Sequence, residues 1–215
     1  MSMHQSLLAI VLAFFAAATH GATVVYDTLS DTTGPAGVSY NIGVPPSSAA
    51  PPRSTAMRFV PSEGGFLTAI DVYLSEHIGT DWSVSASVYP DVGGRPGQSA
   101  LESVSYTGGT AWFAGALSLV ASGTTWLDPA EAYWLGIAPE TEGMFVGWQR
   151  SQLATPGSNK AQTFAELDGF WFIILPDDNQ AGFRMSVNTA IPIPAAVWLF
   201  GSALGLLVCT KRRNA

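Results

Sequence analysis

Cysteine is almost missing from this 215-residue chain, and its one copy, Cys209, lies close to the C-terminal end. A lone thiol permits no intrachain disulfide and rules out zinc sites built on paired cysteines. Histidine is scarce too: of 3 copies, only His77 falls between Thr23 and Thr189. Any Ser-His-Asp arrangement must use it, and no Gly-x-Ser-x-Gly elbow supplies the serine. His77 sits in Ser75-Glu-His-Ile-Gly79, which reads as a solvated hairpin turn. His-Glu-x-x-His, the phosphate-binding Walker loop and the dinucleotide fingerprint are all absent. Positive charge is short as well. Nine basic residues stand against 16 acidic ones, and Lys211, Arg212 and Arg213 belong to the tail, which leaves −10 between Thr23 and Thr189 (6 basic against 16 acidic). So acidic a body repels phosphate backbones, which argues against nucleic acid as a partner.

Long apolar runs occur only at the two ends. Leu7 to Ala18 is a twelve-residue uncharged run, the length of a signal-peptide core and short for a bilayer span. Small residues from Ala16 to Ala22 suit cleavage, so residues 1–22 are expected to be a signal peptide with a helical core. At the other end, Ala195 to Thr210 gives 16 uncharged residues. A helix of that length spans roughly 24 Å, and counting from Ile191 brings it to about the full hydrocarbon thickness. Lys211, Arg212 and Arg213 then stop transfer and hold the C-terminus in the cytoplasm, with Trp198 at the opposite interface. Pro192 and Pro194 bias Ile191 and Ile193 towards extended backbone, so the strip before the helix is stiff and open to a protease or transpeptidase.

This order of Pro-x-Pro, apolar glycine-containing helix and terminal cations resembles the PEP-CTERM sorting signal of exopolysaccharide-producing Gram-negative bacteria. The string Ile191-Pro-Ile-Pro-Ala-Ala-Val-Trp-Leu-Phe-Gly-Ser-Ala-Leu204 is similar to a variant of that signal, with Ile193 where the family usually carries Glu. The resemblance implies Ile191, Pro192, Ile193 and Pro194 as sorting motif and an exosortase as processing partner. It also implies an inner-membrane intermediate and delivery to the cell surface or extracellular matrix, in association with exopolysaccharide. The plain alternative is a C-terminal membrane anchor, which the helix and cations alone satisfy.

Between the signals, residues 23–189 read as one extracellular domain of short strands separated by turns. Alternation is clearest in Trp82-Ser-Val-Ser-Ala-Ser-Val-Tyr89 and in Phe66 to Leu74. Further strands are expected over 23–29, 55–60, 101–106, 111–120, 132–138, 144–149, 170–175 and 182–188. Ten strands without an amphipathic helix predict an all-β, antiparallel sandwich with jelly-roll-like connections. The proline-rich stretch Val44 to Arg53 reads as a loop after the first strand. Tyr89-Pro-Asp-Val-Gly-Gly-Arg-Pro-Gly-Gln98 reads as a long hairpin loop in which Gly93, Gly94 and Gly97 permit positive φ. That loop, together with Tyr133-Trp-Leu135 and Gly147-Trp-Gln149, resembles the choice-of-anchor R type of extracellular β-sandwich, in which similar strands precede alternative sorting tails.

The remaining chemistry is thin. The carboxylate pairs Glu140/Glu142 and Asp177/Asp178 fall in turn-like segments with nothing to fix them across a cleft. Asp177 to Gly182 matches part of a calcium loop, but Asn188 stands where a bidentate Glu is needed. No cofactor or metal is expected. Large aromatics are mostly buried, and Phe170-Trp-Phe172 reads as packed core. Trp112 and Trp126, beside turn residues, are the candidates for stacking on sugar rings. The expectation is a non-enzymatic surface or matrix protein, with a lectin or carbohydrate-active enzyme as the competing class.

Overall fold

A computed structural model describes residues 21–29, 39–44, 52–78, 82–108, 115–141, 144–151, 160–164, 170–174 and 181–189. The expected signal segment up to His20, the Pro-x-Pro motif at Ile191 to Pro194, the apolar tail and Lys211, Arg212 and Arg213 all lie outside them; of the residues expected in the signal peptide, Gly21 and Ala22 are described, and Ala22 begins the first strand. Gly21–Thr189 forms one compact unit. Among the described residues there are thirteen strands and no helix. These are β1 (Ala22–Asp27), β2 (Ser39–Gly43), β3 (Arg53–Phe59), β4 (Gly65–Ile78), β5 (Ser83–Pro90), β6 (Glu102–Thr107), β7 (Gly115–Val120), β8 (Trp126–Leu127), β9 (Tyr133–Pro139), β10 (Phe145–Gln149), β11 (Lys160–Phe164), β12 (Phe172–Ile174) and β13 (Phe183–Asn188).

Every strand pairing is antiparallel, and the hydrogen-bonded path runs β1-β13-β4-β10-β2-β3-β9-β5-β6. The long strand β4 organises it. Its first half has β13 on one edge and β7 and β8 on the other, while Leu74 to Ile78 pairs with β10. A register shift against Val146 and Gly147 inserts one extra residue between Ser75 and His77, and such a bulge bends the strand. Strand β4 thereby belongs both to the group β1-β13-β4-β7 and to the longer run from β10 to β6.

Side-chain alternation brings these two groups face to face. In β5, Val84, Ala86 and Val88 are buried while Ser83 and Ser85 point outward. Leu135 and Ile137 of β9, Met57 and Phe59 of β3, and Phe183, Met185 and Val187 of β13 fall in the same core cluster as Leu117 and Leu119 of β7. Aromatic rings tie the layers together: Phe59 meets Phe183 edge-on at 5.8 Å, and Tyr26 stacks on Phe183 at 4.8 Å. The fold is therefore all-β and sandwich-like, as the alternation predicts.

Several local expectations are corrected. His77 is not in a turn; it is a strand residue of β4, paired with Val146. The proline-rich stretch follows the second strand, since β2 ends at Gly43 and β3 begins at Arg53. Phe170 and Phe172 are exposed, and of that trio only Trp171 packs, edge-on to Tyr89 at 5.6 Å beside the buried Trp134. In the β5–β6 loop, Gly93 and Gly94 have φ of 62° and 80°, whereas Gly97 does not take positive φ. Gly97 is required for space, because a Cβ there would lie 2.8 Å from Pro90 Cγ.

Candidate functional site

The solvent face of β1, β13, β4 and β7 is readable row by row from the strand register. One row is Asp27, Arg184, Asp71 and Ser118; the next is Val24, Ser186, Ala69 and Val120. The third runs Ala22, Asn188, Phe66 and Trp126, the last supplied by β8. The first row is charged, and Asp27 Oδ2 accepts from the Arg184 guanidinium at 3.0 Å. The other two carry four large apolar side chains that remain open to solvent: Val24 (47%), Phe66 (40%), Val120 (80%) and Trp126 (45%).

Phe66 reaches this face because of a bulge. Ile70, Val72 and Leu74 alternate inward, and continuing that period backwards would turn Phe66 into the core. Between Leu67 and Ala69, however, the register against β13 skips Thr68, whose hydroxyl donates to the Ser186 carbonyl at 3.1 Å. The inserted residue inverts the alternation, so Leu67 is buried and Phe66 faces water.

Trp126 sits edge-on to Phe66, with ring centroids 5.1 Å apart and planes at 77°. The indole is held from below by a glycine: a Cβ on Gly64 would lie 3.1 Å from Trp126 Cζ2 and 3.0 Å from Pro129 Cδ. Leu127 points inward and is buried, so the two-residue strand β8 anchors its tryptophan on regular backbone. Behind it, the Asp128 N–H donates to the Tyr133 hydroxyl at 2.9 Å. Burial raises the Tyr133 pKa above its ordinary value, partly offset by that hydrogen bond. Asn188, next to Phe66 in register, has a buried Oδ1 without a hydrogen-bond partner.

Of the two tryptophans singled out from sequence, Trp126 thus stands on an open aromatic and aliphatic face, and Trp112 lies outside the described residues. Sequence reasoning missed Phe66, Val24 and Val120; the signal for Phe66 is the bulge at Thr68, which only the partner strand reveals. Glu140 is exposed and accepts from Ser83 Oγ and Ser105 Oγ, each at 2.6 Å; Glu142, Asp177 and Asp178 are outside the described residues. Among the described residues, no group of three His, Cys, Asp or Glu side chains could hold a metal ion, and no helix is long and apolar enough to cross a membrane. No protein-family model matches the chain, and comparison with curated proteins returns no relative.

Proposed function

We propose that this is an exported, non-enzymatic binding protein of a Gram-negative cell surface or extracellular matrix, whose body contacts exopolysaccharide through the Trp126–Phe66 pair. The observation that carries the binding part is that pair: two rings, edge-on at 5.1 Å, both open to water on the outer face of the sheet. Exposed aromatic surface of this kind is more often a contact site than an accident. The apolar faces of sugar rings stack on indoles, while Asn188 brings a polar group beside Phe66 in register.

Export and sorting rest on the sequence. In this reading a signal peptide over residues 1–22, with its helical core at Leu7 to Ala18, directs the chain out. The helix from about Ala195 then holds an inner-membrane intermediate, with Lys211, Arg212 and Arg213 in the cytoplasm. An exosortase acts at the strip Ile191, Pro192, Ile193, Pro194. For the body we propose jelly-roll-like connections, supported by strands far apart in sequence lying side by side, such as β1 beside β13. The direct test is retention of the full chain and its Trp126→Ala variant on a column of host exopolysaccharide. Retention lost in the variant with the fold intact supports the reading, and equal retention removes it.

A further inference from the structure

The hydrogen-bonded path ends at β6, and no described strand lies along its outer edge. Native sheets usually blunt such edges with lysine, proline or a bulge. Strand β1, at the other end of the path, follows that rule, with a register shift between Val24 and Tyr26 and the ion pair of Asp27. Strand β6 has neither lysine nor proline, and the irregular contact beside it, the Leu101 N–H donating to the carbonyl of Val88, the register partner of Glu102, comes before the strand begins. Its six residues pair with β5 in unbroken register, and the sequence Ser103-Val-Ser-Tyr-Thr107 carries no charge. The one charged residue of the strand, Glu102, is buried and accepts from the Ser122 N–H.

Backbone parity determines what that edge offers. Gly108 N donates to Trp82 O at 2.8 Å, so the backbone groups of even-numbered β6 residues turn towards β5. Those of Ser103, Ser105 and Thr107 therefore turn outward, away from the sheet. Their side chains are exposed on the solvent face, while Val104 and Tyr106 pack half-buried against the core.

We propose that β6 pairs antiparallel with β6 of a second copy of this chain, about a two-fold axis through Ser105. The segment is self-complementary in that register: Ser103 meets Thr107, Ser105 meets Ser105, and Val104 meets Tyr106. The pairing forms about six backbone hydrogen bonds and places a β-branched side chain against an aromatic one on the inner layer. Closure about the two-fold axis uses the β6 edge of each copy completely, so this edge recruits no third chain. Glu140, hydrogen-bonded to Ser105, stays exposed in both copies, where salt screens its repulsion.

Cysteine cross-linking in the full chain, with Cys209→Ser as background, reads the register directly. Residues facing each other in a hydrogen-bonded pair lie about 5.5 Å apart at Cα, within disulfide reach. Ser105→Cys should therefore give a covalent dimer under mild oxidation. Ser103→Cys alone should not, because its own copy lies about 14 Å away along the partner strand. Mixing Ser103→Cys with Thr107→Cys chains should restore the link. Ser105→Pro, tolerated on an edge whose N–H faces outward, should keep the far-ultraviolet circular dichroism of the parent and sediment as a monomer where the parent is a dimer. A monomeric parent, a link at Ser118→Cys on the unblunted edge of β7 in place of Ser105→Cys, or equal linking at Ser103 and Ser105 would each overturn the proposal.

Discussion

Arg184 on the last strand and Asp27 on the first are joined by an ion pair at 3.0 Å, so the two ends of the body are fastened by charge as well as by backbone. The carboxylate is used twice: Oδ2 takes the guanidinium and Oδ1 accepts the Leu29 N–H at 2.8 Å. Both side chains are about a third exposed or less, so the charge contribution is modest, and the local hydrogen bond adds to it. Asp27→Ala should lower unfolding stability by about 1 kcal/mol, whereas Arg184→Gln, which spares the Leu29 contact, should cost less. Denaturant melts of both variants at low and high salt check this. The Arg184 effect should fade with salt, while the Asp27 effect should fall only in part, to the share of its Leu29 hydrogen bond.

The β5–β6 loop separates two reasons for having glycine. Gly94 has φ of 80° and nothing within 4 Å of a built Cβ, so Gly94→Ala should cost about 1 kcal/mol through backbone strain alone. Gly97→Val meets Pro90 at 2.8 Å and forces it to shift, which should cost about 1–3 kcal/mol. A Gly97→Val melt no lower than that of Gly94→Ala would show that Pro90 yields freely.

The layer architecture was legible in sequence wherever alternation was strong and the strand long enough to display it. Strand β5 is the clearest case: Val84, Ala86 and Val88 fill alternate positions, and all three are buried. Strands β2, β8 and β11 were not legible for a common physical reason. Ser39–Gly43 has only Tyr40 and Ile42 as inward anchors, Trp126–Leu127 is two residues long, and Lys160–Phe164 is mostly polar; each owes its strand state to a partner distant in sequence. The candidate site divides in the same way. Trp126 stood out beside turn residues, whereas Phe66 depends on one inserted residue in a pairing with β13, more than a hundred positions along the chain.

Tyr133 gives the body an alkaline sensitivity. Its folded-state pKa is raised by burial, so the folded protein keeps the phenol proton after the unfolded chain has begun to lose it near pH 10. The unfolded state then binds fewer protons, and stability falls as pH rises from about 10 towards the folded pKa. Below pH 10 the contribution is fully present. Tyr133→Phe should flatten the fall measured between pH 9 and about 11, and at neutral pH it should cost about 1 kcal/mol by leaving the Asp128 N–H without its acceptor.

Trp126 and Trp148 provide the contrast between a contact residue and a core residue. Trp148 is fully buried and donates from Nε1 to the Gly182 carbonyl at 3.1 Å, so Trp148→Ala leaves a cavity and should cost about 3–5 kcal/mol. Trp126 already spends nearly half its surface in water, and Trp126→Ala should cost about 1 kcal/mol, mostly its contact with Phe66. Thermal melts of the two variants measure the difference. A Trp126→Ala loss as large as that of Trp148 would return the indole to a structural role and remove the sugar-stacking assignment.

Sorting and simple anchoring make opposite demands on Pro192 and Pro194. An anchor needs only apolar length and the cations Lys211, Arg212 and Arg213, so the double change Pro192→Ala with Pro194→Ala should leave it in the membrane at full length, like the parent. A processed signal needs the stiff extended strip that the two prolines impose on Ile191 and Ile193. In a host with an exosortase, the parent should then lose the segment from about Ala195 onward. The double variant should accumulate in the inner membrane about two kilodaltons heavier, the mass of roughly 20 membrane-spanning residues. Mass spectrometry of the mature protein separates the two, because an intact Lys211-Arg-Arg213 terminus on exported parent protein is compatible only with an anchor.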